Sequence, residues 1–491
     1  MKKQRLMLAI AALTSGLPAA TLPSLGHAAA LEEVVVTARK RTENLQRTPI
    51  SITALSGEEL ARAGINQLTA IERQTPNLNF TVGTGGGSST VNAFLRGVGE
   101  FDFILTTDPA VGLYLDGIYL ARAFGANMEL ADVERIEVLR GPQGTLFGKN
   151  SIGGAISVIT RKPTGESSAE FGLATGSRNL GEVSFYGQTA LTDTLSGSIS
   201  YLRRKADGWQ ERPGDDAGDI DLSTARAILN WAPTDSFEST LSVDWHEQDQ
   251  TGYPNVMLTW QDGTLFGDLW NQLNPDNPCC TPNANIDVSG IEGPLPNDDV
   301  EGMGITWTNT WQVNDTLEFK SITGYRETEA LFGRDGDNSA LNYSGDIHDQ
   351  DHDQFSQELQ LVGTNGALEW VGGLYYFTED TRDLTDLIII QGLGTSVSFD
   401  NRQETSSYAA YAQVSYAVSE QLDVFAGIRY TEEEKDFTQQ ISNYDFGVPH
   451  VFAIPGVPVS SCAFDEPSLL RLLPGLVQHV TQNRRLLADE R

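Results

Sequence analysis

From residue 168 onward the chain alternates apolar and polar positions with a period of two. In Phe237-Glu238-Ser239-Thr240-Leu241-Ser242-Val243-Asp244-Trp245 the odd positions are mostly apolar and the even ones polar. Leu317 to Tyr325, Leu368 to Tyr376, Tyr408 to Tyr416 and Leu422 to Tyr430 repeat the pattern, often with an aromatic at one end. Such runs predict half-buried β-strands. Short turns are expected at Thr192 to Thr194, Ala232 to Ser236, Asn314 to Thr316, Thr364 to Ala367 and Ser419 to Gln421. They alternate with loops expected at about 206–221, 249–300, 333–352 and 385–403, and a brief one near Gly176 to Asn179. Short turns on one side and long loops on the other are the pattern of an antiparallel transmembrane β-barrel. The count is about eleven strands over residues 168–442.

Residues 45–163 have a different texture, that of a small mixed α/β unit. Ser56 and Glu59 have capping-box spacing, and the helix they start is expected to stop at Gly64. A second helix is expected from about Asn66 until Pro76 forbids continuation. Gly83 to Thr90 is a Gly/Ser loop, followed by strand-like runs at Ala93 to Leu95, Val111 to Leu115, Ile136 to Leu139 and Ala155 to Thr160.

Composition narrows the class. The 66 acidic and 33 basic residues give a net charge of -33, which argues against nucleic acid. Mean hydropathy is -0.26, and after the N-terminus no apolar run is long enough for a membrane-crossing helix. A β-barrel is compatible with that, because its alternating strands average out. At the N-terminus Lys2, Lys3 and Arg5 precede the apolar stretch Leu6 to Leu17. Small-residue cleavage sites follow at Gly26-His27-Ala28 or Ala28-Ala29-Ala30, so residues 1–30 read as a secretory signal peptide. Export implies an oxidising setting, in which three cysteines leave one without an intramolecular partner.

The segment 31–44 opens Leu31-Glu32-Glu33-Val34-Val35-Val36-Thr37-Ala38-Arg39. Its valines favour extended structure, and an exposed, unpaired strand makes sense if another protein's sheet edge captures it. Glu32, Glu33, Val34, Val35, Val36, Thr37 and Ala38 resemble a TonB box. Further stretches resemble the plug of TonB-dependent outer-membrane receptors. They are Phe94-Leu95-Arg96-Gly97, Val111 to Gly117, Val133 to Gly144 and Gly153 to Pro163, the third reading Val133-Glu134-Arg135-Ile136-Glu137-Val138-Leu139-Arg140-Gly141-Pro142-Gln143-Gly144.

The resemblance implies a plug inside a barrel of twenty-two strands, of which about eleven are expected here. It implies as partners the periplasmic C-terminal domain of TonB with its inner-membrane energising complex, and an extracellular nutrient. A ferric siderophore is the default; cobalamin, haem and glycans are the others. It also implies that Arg96 and Arg140 latch the plug to lumen carboxylates, with Glu358 the candidate because it falls on the polar phase of its strand. A passive porin or adhesin would have neither box nor plug motifs. A non-functional truncated receptor is the other alternative. Residues 443–491 lose the alternation, as at Leu469-Leu470-Arg471-Leu472-Leu473-Pro474, so a truncation or frameshift near residues 445–465 is expected rather than a barrel assembled from two chains.

Smaller signals add little. Gly144-Thr145-Leu146-Phe147-Gly148-Lys149-Asn150 has three residues between its glycines instead of a phosphate loop's four, and Asn150 where a Ser or Thr would hold magnesium. His348-Asp349-Gln350-Asp351-His352 is expected at the end of an outer loop, as a solvated acidic segment rather than a metal site. Cys279 and Cys280 are adjacent in another outer loop, and Cys462 lies in the atypical tail. No catalytic spacing, metal site or cofactor motif stands out, and no enzyme is expected.

Overall fold

A computed structural model describes residues 35–41, 43–81, 89–130, 132–210, 216–251, 297–335, 344–389, 396–419, 421–444 and 484–487. Residues 1–30, read above as a signal peptide, Glu32, Glu33, Val34, the three cysteines and most of the tail lie outside them.

The plug begins with β1 (Val35–Val36) and β2 (Glu43–Asn44), an antiparallel pair. Then come β3 (Ile52–Ser56), β4 (Leu78–Thr81), β5 (Asn92–Leu95), β6 (Val98–Gly99), β7 (Val111–Leu115), β8 (Ile118–Leu120), β9 (Val133–Arg140) and β10 (Gly154–Thr160). Five of these form a mixed sheet in the order β3-β9-β10-β7-β8, with β10 and β7 parallel. Leu60, Ile71, Leu95, Ile136, Val138 and Ile156 are among the residues of its main core.

Local chemistry explains the elements. Helix α1 (Gly57–Ala63) starts with both halves of the expected capping box and stops at Gly64, in the left-handed region at φ 66°. The second expected helix is a 3-10 turn, Leu68–Gln74; its cap position, Gln67, makes no side-chain capping bond. Asp116 and Gly117, at φ 49° and 89°, make the two-residue hairpin between β7 and β8. That is the conformation an Asp-Gly pair favours. The hairpin drives Ile118 against the barrel wall, where Gly324 leaves room for it.

The barrel strands are β11 (Ser168–Thr175), β12 (Gly181–Ala190), β13 (Leu195–Ala206), β14 (Ile220–Thr234), β15 (Phe237–Thr251), β16 (Asn297–Asn314), β17 (Leu317–Asp335), β18 (Ser344–Asn365), β19 (Leu368–Ile389), β20 (Ser396–Ser419) and β21 (Leu422–Tyr444). They pair in sequence order, each antiparallel to the next. The expected eleven strands and the short turns are present. The tail differs in one respect: β22 (Arg484–Leu487) pairs with Asp436 to Gln439 of β21.

The later strands reach further outward than the alternation suggested. β18 to β21 run 22–24 residues, about twice the 9–11 a tilted strand needs to cross a bilayer. Their outer portions carry charged residues such as Asp351, Arg382 and Arg402 on the outward face, so the apolar–polar alternation fades there. His348 to His352 is consequently not an outer loop but part of β18, paired with β17 and β19.

Side chains sort by face as lipid on one side and plug on the other require. Leu241, Val243, Ile305, Trp307 and Leu359 are exposed outward, while Ser242, Asp244, Thr306, Glu358 and Gln360 are buried inward. On the inner face Arg326 of β17 donates both terminal nitrogens to Asp244 of β15, at 2.8 and 3.2 Å, across the intervening strand β16. The bridge is possible because the residue between them in register is Gly304. A Cβ there would collide with the guanidinium and the carboxylate. Gly304→Val should therefore break a buried ion pair, at a cost of about 3–5 kcal/mol. The expected outcome is a lowered thermal unfolding midpoint of the protein in detergent micelles, with Gly181→Val, where an added side chain meets open space, as the comparison.

Candidate functional site

The described part of the box-like segment, Val35 to Ala38, is not an exposed free strand. β1 pairs with β2, and Val36 and Ala38 are 0% and 1% exposed. They pack in a cluster with Tyr114, Tyr119, Leu139 and Phe377. Thr37 points the other way. Its N–H donates to Glu137 Oε1 and Oε2 at 2.9 and 3.1 Å, and its hydroxyl donates to Oε1 at 3.2 Å. Arg135 Nε holds the same carboxylate at 2.8 Å. The correction has a simple cause: alternate small apolar side chains find a dry pocket, and a buried carboxylate takes the main-chain donor between them.

The chain just after this segment is tied to the barrel. Lys40 Nζ is 3.1 Å from Glu358 Oε2, and Arg41 Nη1 is 2.7 Å from Glu369 Oε2. Glu358 is buried and faces the lumen as its phase implied, and it also accepts from the Tyr411 hydroxyl at 2.6 Å. Among the described residues it is Lys40, not Arg96 or Arg140, that pairs with it. Arg96 and Gly97, at φ 54° and 77°, form the hairpin turn between β5 and β6, and Arg96 is exposed. Among the described residues Arg140 Nη2 reaches the Ile52 carbonyl, at 3.5 Å, and no carboxylate.

Other ion pairs fasten plug to wall. Arg122 Nη2 is 3.0 Å from Glu379 Oε1, both side chains buried. Arg204 of β13 holds Glu129 at 2.7 Å, and Arg226 of β14 holds Asp132 at 2.6 Å. Beside the last pair, Asp116 accepts from Thr160 N–H and Oγ1 at 2.9 and 2.8 Å. Burial raises its carboxyl above the usual range, against the opposing pull of Arg226 and of those bonds.

His348 and His352 face the lumen and are buried. His348 Nδ1 lies 3.1 Å from Asp383 Oδ1, and His352 Nδ1 lies 2.8 Å from Thr381 Oγ1. Among the described residues no group of three or more His, Cys, Asp or Glu is arranged to hold a metal.

Two family models match the chain: TonB-dependent Receptor Plug Domain over residues 44–155, and TonB dependent receptor-like, beta-barrel over residues 244–453. The chain belongs to the TonB-dependent receptor family. Receptors of this family are outer-membrane proteins and not enzymes, and this chain is an outer-membrane protein. It is 33% identical to the pesticin receptor of Yersinia pestis over 432 residues, 84% of this chain and 58% of that protein. It is 23% identical to a vitamin B12 transporter of Vibrio vulnificus, over 72% of this chain and 58% of that protein. The ferric yersiniabactin uptake receptor from Yersinia pestis has the same fold, with TM-score 0.64 and 23% identity over 81% of this chain and 60% of that one. The ferripyoverdine receptor of the outer membrane of Pseudomonas aeruginosa also has it, with TM-score 0.64 and 15% identity over 84% and 55%. This chain thus spans less than two thirds of the length of these relatives.

Within this TonB-dependent receptor, sequence reasoning missed Lys40, Arg122, Arg226 and Glu137 as fastening residues. Glu137 sits inside the plug-like stretch Val133 to Gly144, but nothing local marks its carboxylate as the acceptor for Thr37. Replacing it by Gln removes the charge from those bonds, each worth about 1.5–3 kcal/mol to a charged acceptor. Glu137→Gln should free the segment around Thr37 in the resting receptor. Limited proteolysis should show faster cleavage near residues 35–41, with the rest of the plug still protected.

Proposed function

We propose that this protein takes up a scarce, bulky nutrient across the outer membrane at the expense of energy delivered by TonB, and that a ferric siderophore is the nutrient. The observation that carries the reading is the position of the box-like segment. It is held on the plug by Thr37 and Glu137 and tied to the wall through Lys40 and Arg41. A pull on that segment therefore acts directly on the plug–barrel fastening. Strand-prone Val34 to Val36 suit capture by a sheet edge of TonB through main-chain hydrogen bonds. The siderophore assignment is supported by the yersiniabactin and pyoverdine receptors among the solved structures of the same fold. It is preferred over cobalamin, which one relative transports, because siderophore receptors recur among the solved structures of this fold.

In this reading Glu32 to Ala38 form the TonB box, and Glu358 with Lys40 is one of the latches. Arg96 and Arg140, expected from the resemblance to latch to lumen carboxylates including Glu358, are not part of this reading, because Lys40 holds that carboxylate. Substrate binds above the plug from outside, and TonB engages the box below.

The test is a proline in the box. Val35→Pro, at an exposed position at the start of the strand, removes a main-chain donor and should leave substrate binding to the receptor on whole cells unchanged. Energised uptake of a radiolabelled ferric siderophore should fall by about tenfold or more, the equivalent of 1.4 kcal/mol or more of lost pairing with TonB. Uptake that survives the substitution and also survives loss of the proton gradient would point to passive entry instead.

A further inference from the structure

Two cavities lie one above the other between the plug and the same stretch of barrel wall. The upper has a volume of about 90 Å³ and touches β13 to β18, with Thr224, His246 and Thr328 in its lining. The lower, near the periplasmic turns, has about 750 Å³ and touches β14 to β19. The lower cavity is large enough for a drug-sized solute, whose sites run to about 300–1,000 Å³. The upper holds only a few waters at about 30 Å³ each.

A thin layer separates them, and it can be followed residue by residue down the inward-facing positions. On β14 it is Arg226, between Thr224 above and Ile228 below; on β15 it is Asp244, between His246 and Ser242. On β16 and β17 the layer contains Gly304, Gly324 and Arg326. The plug closes it with Asp132, bonded to Arg226 Nη1 at 2.6 Å and to Ser200 Oγ at 2.8 Å, and with Ile118 seated on Gly324. The seam above the layer carries polar atoms with no hydrogen-bond partner among the described residues: His246 Nε2, Arg226 Nε, Glu129 Oε1 and Arg122 Nε. Buried polar atoms in that state are met by water. Below the layer the wall is hydroxyl-rich, with Thr240, Thr306, Thr308 and Thr310, and the opposite wall includes Val35, Thr37, Lys40 and Arg41 of the box segment.

We propose that the nutrient leaves along this seam, past the Arg226–Asp132 and Arg326–Asp244 layer, into the threonine-lined vestibule. The proposal rests on the uptake reading above. Three observations favour this wall. The vestibule exists at rest, so only the layer and the upper cavity must widen. The segment on which TonB would pull forms one side of the vestibule, so its withdrawal enlarges the space directly. At the β20–β21 contact, by contrast, Lys149 Nζ sits 4.6 Å from the Phe377 ring centre and pairs with Glu433 at 2.9 Å. The cavity there is only about 20 Å³. The hydroxyl wall and the one-to-one pairing of charges in the layer suit a hydrophilic, hydrogen-bonding solute such as a metal chelate.

The test uses the full-length receptor with Cys279, Cys280 and Cys462 replaced by Ser. Single cysteines are placed in the vestibule (Thr308→Cys), above the layer (Thr224→Cys) and on β21 (Thr431→Cys). In purified receptor a charged thiol reagent should label Thr308→Cys quickly and Thr224→Cys slowly. Adding Arg226→Ala, or Asp132→Asn if the former does not fold, should raise labelling at 224 by about tenfold by favouring local opening. Labelling at 431 should not change. Unchanged labelling at 224 in a folded variant, or an equal rise at 431, overturns the proposal. In cells, a bulky maleimide on Thr308→Cys should stop uptake while substrate binding persists; uptake that continues also overturns it. A parent receptor without energised uptake would instead remove the transport reading, and the labelling comparison would still decide whether Arg226 and Asp132 close the seam.

Discussion

A charge buried between the plug and the barrel wall must find its counter-charge on the other surface, and that requirement sets where the plug sits. Arg122 with Glu379, Arg226 with Asp132, Arg204 with Glu129 and Lys40 with Glu358 are all pairs of this kind. Each costs desolvation to form, so such pairs give little net stability. Removing one partner is costly, however, because the other remains buried and uncompensated. The set therefore works as a positional code more than as glue. The plug is held in one orientation by pairs that tolerate no half-measures, across a seam with polar atoms unpaired among the described residues and space for water.

The barrel wall supplies that code because its face toward the plug is polar. Lipid on the outside demands apolar side chains, the strand period then makes the other face available to polar ones, and every main-chain group within the sheet is met by a neighbouring strand. The glycines of β16 refine the arrangement. Gly302 and Gly304 leave the wall flat enough for His246 and the Arg326–Asp244 bridge to lie across it. In a membrane the edge strands of the described sheet need further partners for the same reason that the interior strands have them.

Much of this was legible in sequence, and the reasons differ by element. The Asp116-Gly117 hairpin and the Ser56 capping box are local, so residue identity alone places them. The strands between Phe237 and Tyr430 are legible where one face meets lipid, since only there is the alternation enforced. It fails beyond the bilayer, and so His348 to His352 read as a loop although it is a strand with both histidines inward. Glu358 was placed on the correct face by its phase, but its partner could not be. Pairing with Lys40 depends on how the plug is set within the barrel, which no spacing along the chain encodes. The same holds for the Asp244–Arg326 bridge, visible only once the register brings Gly304 between the two.

The linear order of these contacts bears on how a pulling force would open the protein. From the N-terminal end, tension would meet Thr37 on Glu137 first, Lys40 on Glu358 next and Arg41 on Glu369 after that. Loaded one after another, each fastening presents its own small barrier, and the next takes the load only when the previous one has given way. Pulled all at once, the same contacts would add their costs. The deeper pairs, Arg122 with Glu379 and Arg226 with Asp132, attach parts of the plug more than eighty residues further along the chain. They need not break when the first three do. An interface that holds at rest yet yields to a pull is best built in this way, as fastenings loaded one at a time that lead toward a paired interior.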